Sequence, residues 1–198
     1  MPSILVIDNH DSFVYNLVQL LREAEESCLF VVRLASDLHG DESRCYDALI
    51  ISPGPGLPEE QPRMMQALAQ FAEQAKPILG ICLGCQAIAL HYGYSLRQLA
   101  RPLHGHTSYL RHQGQGILHG LPEGVAIGRY HSWVVDLSLG LEVASGALVE
   151  EGYCEDIDGR HTMVLRHASL PIWGLQFHPE SMISEYGAYY INSWLRLI

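Results

Sequence analysis

The sequence predicts an α/β fold: a mostly parallel open sheet flanked by helices, with antiparallel strands added in the second half of the chain. Three observations predict it. Short continuous apolar runs alternate with stretches of helical periodicity through the first half, as buried parallel strands and their covering helices require. Turn signals such as Pro53-Gly54-Pro55-Gly56 and Lys76-Pro77 end these segments abruptly. Beyond about residue 96 the pattern shifts to period-two or β-branched segments separated by Gly, Pro and Asp. The chain has 198 residues, 48% of them hydrophobic, which suits a single domain over residues 1–198 built on one substantial core.

Taken in order, Ile4-Leu5-Val6-Ile7 is the first strand. The polar loop Asp8-Asn9-His10-Asp11 leads to Ser12, a candidate cap for a helix whose apolar face is Val14, Leu17, Val18 and Leu21. Strand-like runs follow at Leu29 to Val32 and Ala48 to Ile51, the second ended abruptly by Pro53-Gly54-Pro55-Gly56. A helix rich in Met, Ala and Gln spans about residues 64–75 and closes at Lys76-Pro77. Ile78-Leu79-Gly80-Ile81 runs into Cys82 and a helical stretch continues to about Tyr92, so Cys82 falls at a strand-to-helix turn. Segments at Val125 to Tyr130, Trp133 to Val135, Thr162 to Leu165 and Ile172 to Gln176 are expected as antiparallel additions to the same sheet. Helical spacing returns at the end, with Tyr190, Ile191, Trp194 and Leu195 on one face.

Twelve Lys and Arg against 22 Asp and Glu leave a net charge of −10, which repels phosphate backbones and anionic lipid. Nucleic-acid and membrane-surface roles are not expected. Apolar runs such as Cys28 to Val32 fall far short of a membrane span, and Met1-Pro2-Ser3 leads straight into a strand with no visible signal or transit segment. Five cysteines are an odd number in a chain too long for a disulfide scaffold, which suits a reducing compartment. A cytoplasmic location is the expectation.

Chemistry first shows at Gly80-Ile81-Cys82-Leu83-Gly84, which has the small-x-nucleophile-x-small form of a nucleophile elbow. A thiol at a helix N-terminus also feels the positive end of the backbone dipole, which favours the reactive thiolate. Alone, Cys82 reads equally well as a buried structural cysteine. A base candidate downstream shifts that balance: His178 follows a strand-like run, Pro179 stiffens the link, and Glu180 can hold the ring in one orientation and tautomer. With eleven histidines in the chain most are structural, and His178 stands apart by its placement. The third component is the loop after the third strand, where Gly54 and Gly56 can bring backbone amides close to a reacting carbonyl. With the amide of Leu83 they can stabilise the oxyanion of a tetrahedral intermediate.

These three segments, Gly80-Ile81-Cys82-Leu83-Gly84-Cys85-Gln86, Phe177-His178-Pro179-Glu180-Ser181 and Ser52-Pro53-Gly54-Pro55-Gly56, resemble the signatures of class I glutamine amidotransferases. Asp8 to Asn16 and Arg129-Tyr130-His131-Ser132-Trp133 resemble the branch that serves chorismate enzymes, anthranilate synthase and aminodeoxychorismate synthase. The resemblance covers essentially the whole chain and implies a flavodoxin-like version of the predicted fold. It implies a glutamyl thioester on Cys82, a triad completed by His178 and Glu180, and glutamine held by Gly54, Gly56, Leu83, Gln86, Ser132 and Trp133. The spacing of the residues by itself supports only the triad.

Several positions depart from the family pattern. Cys85 stands where relatives usually carry histidine, which creates Cys82-x-x-Cys85 inside the elbow. A redox pair or half a zinc site is disfavoured, because no second CxxC exists and Cys82 follows a later strand than the first. Reversible oxidation joining Cys82 to Cys85 is the milder expectation. His106 stands where the family typically has lysine, in a region often placed near the partner, and Trp133 replaces a smaller aliphatic residue. His104, His106 and His112 have no predictable carboxylate beside them, and no metal is assigned to this chain.

Because the resemblance uses nearly all 198 residues, it implies a separate synthase subunit that activates the ammonia acceptor. That partner is expected to bind chorismate, to carry Mg²⁺, and to receive ammonia along an enclosed path; no cofactor is expected here. The departures incline the expectation toward 4-amino-4-deoxychorismate, the para-aminobenzoate precursor of folate. Anthranilate synthase component II, for tryptophan, is the alternative, and one subunit can serve both. A stand-alone γ-glutamyl thiol hydrolase and a non-catalytic binding module are more remote.

Overall fold

The computed structural model describes residues 1–138 and 147–198. Its elements are, in order, β1 (Ser3–Asp8), α1 (Val14–Arg22), β2 (Leu29–Leu34), β3 (Ala48–Ile51), α2 (Pro62–Glu73), β4 (Ile78–Ile81), α3 (Leu83–His91), β5 (Ser95–Gln98) and β6 (His106–Tyr109). There follow β7 (Arg111–His112), β8 (Ala126–Arg129), β9 (Trp133–Asp136), β10 (Leu148–Asp156), β11 (Gly159–His167), β12 (Ile172–Leu175) and α4 (Gly187–Leu195). The main sheet has eight strands in the order β2-β1-β3-β4-β12-β11-β10-β7, and β1 through β4 pair in parallel.

The sheet is covered on both faces, which is why its central strands are continuously apolar. Ile4 and Val6 of β1 pack with α1 and α4, whereas Leu5 and Ile7 pack with α2 and α3. Successive side chains of a strand point to opposite faces, so a strand between two helical layers buries every residue; β3 and β4 are buried at all positions. The predicted apolar face of α1 is the buried one, Val14, Leu17, Val18 and Leu21. The final helix buries Tyr190, Ile191, Trp194 and Leu195 as its spacing requires.

Four local expectations need correction. Ser12 does not cap α1: Phe13 is the N-cap residue without a side-chain bond, and Asp11 Oδ1 accepts the Phe13 N–H at 2.7 Å. Helix α2 begins at Pro62, whose missing N–H costs nothing in a first turn. β12 is not antiparallel to its β4 neighbour; it lies beside β4 in parallel, with Ile172 opposite Ile78 and Leu175 opposite Ile81, and is antiparallel only to β11. β8 and β9 do not join the main sheet. They pair antiparallel with β6 and β5 in two separate ribbons, and the segment between them forms a wall of the cavity described below.

Helix α3 lies unusually close to the sheet. A Cβ on Gly84 would stand 2.5 Å from the Ile51 carbonyl oxygen, and one on Gly80 would stand 2.4 Å from the Gly84 backbone. Both contacts are with backbone, which cannot rotate away. Gly84→Ala is therefore expected to lower stability by about 1–3 kcal/mol through overpacking. Urea unfolding reads the change directly, and an unchanged midpoint would show that α3 can lift off β3 at no cost.

Candidate active site

The parallel pairing of β4 with β12 builds the site. Ile81 is registered with Leu175, so the chain leaves both strands side by side, Cys82 from one and Gln176, Phe177 and His178 from the other. Cys82 ends its strand with φ 50° and ψ −98° and serves as the N-cap of α3. A non-glycine residue with positive φ is held there only by its surroundings: its N–H donates to Leu175 O at 2.7 Å and its carbonyl accepts from Gln86 N at 3.1 Å. The turn predicted from sequence is thus present in strained form, with Cys82 only 6% exposed.

His178 and Glu180 are buried beside it. The imidazole Nδ1–H donates to Glu180 Oε1 at 2.7 Å, leaving Nε2 as the free nitrogen, and Nε2 has no hydrogen-bond partner among the described residues. Tyr130 and Phe13 pack against the ring at centroid distances of 5.1 and 6.0 Å and keep it from turning. Burial alone would push His178 down. The charge of the neighbouring Cys82 first, and the hydrogen bond and charge of Glu180 behind it, outweigh that effect and hold the imidazole well above the usual histidine value. A thiol facing an imidazole anchored by a carboxylate can lose its proton, attack an acyl carbon and return a proton to a leaving amine.

The remaining predicted residues surround the sulfur. A cavity of about 330 Å³ is lined by Cys82 together with Gly54, Gly56, Gln86, Ser132 and Trp133. Leu83 is the exception, since its side chain packs into the α2–α3 core; its N–H, as the first of α3, has no partner within its own helix. A second cavity of about 330 Å³ adjoins the first, sharing Gly54, Cys82 and Tyr130 and lined also by Phe13, His104 and His178. The loop carrying Gly54 is tied down by Asn9, whose N–H donates to Ser52 Oγ and whose Nδ2 donates to Ser52 O, each at 3.0 Å.

Sequence reasoning assigned no role to Gln176, Tyr130 or Asn9. Gln176 is fully buried and its Nε2 donates to Cys82 Sγ at 3.8 Å, while its Oε1 accepts from Gln86 Nε2 at 3.4 Å. Gln86 Nε2 also donates to the Trp133 carbonyl at 3.0 Å, linking the cavity wall to the sulfur. The available signal was a glutamine closing an otherwise apolar strand two positions before His178.

The departures from the family pattern take definite places. Cys85 is fully buried, and a Cβ on Gly174 would lie 2.8 Å from its sulfur. Burial first, and the charge of Cys82 second, push its thiol well above the usual value. Cys82 packs with the α1–α4 layer and Cys85 with the α2–α3 layer. Both thiols are free, and the protonated, enclosed Cys85 lacks the thiolate that exchange requires, so the structure does not support the oxidative pairing. His106 is exposed on β6, His104 rests edge-on against Tyr130 and His112 faces Pro122 O. Among the described residues no group of three or more His, Cys, Asp or Glu is placed to hold a metal.

Residues 5–197 match the family model for glutamine amidotransferase class-I. The bifunctional protein TrpGD of Thermotoga maritima is 38% identical over 199 residues, covering all of this chain and 32% of that protein. The aminodeoxychorismate/anthranilate synthase component 2 of Bacillus subtilis is 37% identical over 193 residues, covering 97% of this chain and 95% of that one. Against the longer curated relatives it matches, the chain spans only 24–32% of their length. A crystal structure described as a GMP synthase subunit from Thermoplasma acidophilum superposes with a TM-score of 0.80 at 23% identity, covering 100% of this chain and 94% of that one, and shows a shared fold. The match runs from β1 to α4 and takes in both strand ends that meet at the sulfur, and the chain belongs to the class I glutamine amidotransferase family.

Proposed function

We propose that this chain hydrolyses glutamine and delivers the ammonia to a chorismate-binding synthase. The observation that carries the proposal is the place of Cys82: it lines the cavity formed by the residues expected to hold glutamine, and it also lines an adjoining cavity with His178, whose ring Glu180 anchors from behind. In this mechanism the Cys82 thiolate attacks the carboxamide carbon, and the amides of Gly54, Gly56 and Leu83 stabilise the oxyanion. Collapse of the tetrahedral intermediate breaks the C–N bond, the His178 imidazolium gives its proton to the departing nitrogen, and ammonia leaves a glutamyl thioester on Cys82. Water then attacks the thioester, His178 takes the water proton and returns it to the sulfur, and glutamate is released.

The acceptor is inferred from the names of relatives, which are divided between the two chorismate branches at similar identity. The inclination toward 4-amino-4-deoxychorismate gains nothing from them, and anthranilate stands level with it. A cytoplasmic site fits the five free cysteines; none of the helices among the described residues is long and apolar enough to cross a membrane.

The test is ammonia release from glutamine by the purified chain, alone and with each candidate chorismate synthase partner, in the presence of Mg²⁺ and chorismate. Stimulation by one partner, with matching product, assigns the branch. Strong turnover of γ-glutamyl peptides that no partner changes would replace this proposal with the stand-alone hydrolase. A glutamine analogue with an electrophilic group in place of the side-chain carboxamide should label Cys82, and absence of labelling with every partner would leave only the binding-module alternative.

A further inference from the structure

Arg129 has no exposed surface, and the chemistry above does not use it. Its Nη1 donates to Asp156 Oδ2 at 2.7 Å and to Ser108 Oγ at 3.2 Å, and its Nε donates to His131 Nε2 at 3.1 Å. Asp156 ends β10, and its Oδ1 accepts from the Asp158 N–H and from His161 Nε2, each at 2.8 Å. Arg97 of β5 closes the cluster by donating from Nη2 to His161 Nδ1 at 3.1 Å.

Arginine can only donate, so each ring nitrogen that accepts from it is unprotonated: His131 carries its proton on Nδ1 and His161 on Nε2. Burial first, and the Arg129 charge second, hold His131 down to about 3. Burial would raise Asp156, but the hydrogen bonds from Arg129 and His161 outweigh it and bring the carboxyl to about 2. The cluster is therefore built on the Arg129–Asp156 ion pair, with His131 and His161 accepting from Arg129 and Arg97 on either side. Such a pair is weak justification for itself on stability grounds, since apolar residues could fill the same volume. Fixed orientation is what it supplies instead.

The part it orients is the cavity wall. Arg129 ends β8 and His131 opens the segment that carries Ser132 and Trp133, both lining the glutamine cavity. Arg97 is registered with Val134 of β9 on the far side of that segment. Leu103 N donates to His131 O and Leu99 N to Ser132 O, so the wall is held by backbone on one side and by the Arg129 cluster on the other. We propose that Arg129 and Asp156 are positioning residues for glutamine, holding residues 131–133 in the conformation that lets Ser132 and the Trp133–Gln86 bond grip the substrate. The proposal rests on the glutaminase function above.

Asp156→Asn isolates the role. Asparagine keeps an oxygen for Asp158 N and His161 Nε2 but turns an amide N–H toward the Arg129 guanidinium, replacing an acceptor with a donor. The expected result is a rise in glutamine KM of about tenfold with kcat changed less than about twofold, the pattern of lost uniform binding. Asp156→Glu should recover part of the affinity. Iodoacetamide alkylation of Cys82, which needs no glutamine, should proceed at the wild-type rate in all variants. Should Asp156→Asn fold poorly, Arg129→Lys, which keeps the charge and loses the Nε donor to His131, is expected to show the same KM rise. An unchanged KM, or a fall in kcat and active fraction at constant KM, overturns the positioning role. Absence of Cys82-dependent glutamine hydrolysis in the wild type with every partner overturns the glutaminase function instead, so the two failures are distinguishable.

Discussion

Cys82→Ala is expected to reduce glutamine hydrolysis by about 10⁴-fold or more, because Cys82 is the thiol that lines the cavity beside the His178–Glu180 pair. Alanine leaves Gly54, Gly56, Gln86, Ser132 and Trp133 in place, so glutamine binding measured by calorimetry should persist while turnover vanishes. The positive φ of position 82 is imposed by the β4–α3 turn and remains with alanine, so thermal stability should change little. The substitution also removes the neighbour that does most to raise His178, with only Glu180 left to oppose burial. The His178 imidazole, followed by NMR, should accordingly titrate at lower pH than in the wild type. Hydrolysis within about tenfold of wild type would place the nucleophile elsewhere and sink the mechanism.

Glu180→Gln is expected to lower kcat by about 10²- to 10⁴-fold with little change in KM. Its Oε1 accepts the Nδ1–H of His178 at 2.7 Å, and that bond leaves Nε2 free toward the sulfur. Glutamine can instead turn its amide N–H to the ring, which selects the tautomer with the proton on the wrong nitrogen. The same substitution has a signed effect on stability. The His178 value is raised in the folded protein above its unfolded value, so its contribution is complete below the unfolded value of about 6.5 and is lost as pH rises through the folded value. Without the Glu180 charge that loss should begin at lower pH and the contribution should shrink. Urea midpoints of wild type and variant across pH 6 to 10, roughly bracketing ordinary histidine and thiol titrations, should converge at the alkaline end. Parallel curves would show that Glu180 does not couple to the imidazole.

The legible parts of this protein were those written in local periodicity. The runs at β1, β3 and β4 and the apolar faces of α1 and α4 follow from how a strand or helix repeats its side chains, which a short window of sequence contains. The elbow was legible for the same reason, since a nucleophile between close-packing glycines defines a turn without reference to the rest of the chain. The sequence also brought out His178 and Glu180, because a histidine at a strand end with a carboxylate two residues on carries its own geometry.

Pairing decided the rest. Whether β12 runs parallel to β4, and whether β8 and β9 enter the main sheet or form ribbons with β6 and β5, depends on strand partners far away in sequence. Period-two alternation is the same in either case. Gln176 reaches Cys82 across 94 positions and Arg129 reaches Asp156 across 27, and no local pattern tells which partner either buried polar side chain meets. Sequence alone determined which residues could react and which segments would be strands or helices, because both follow from neighbours along the chain. Only the tertiary structure decided which polar groups meet in the core, because hydrogen bonds form between atoms that folding brings within about 3 Å of each other.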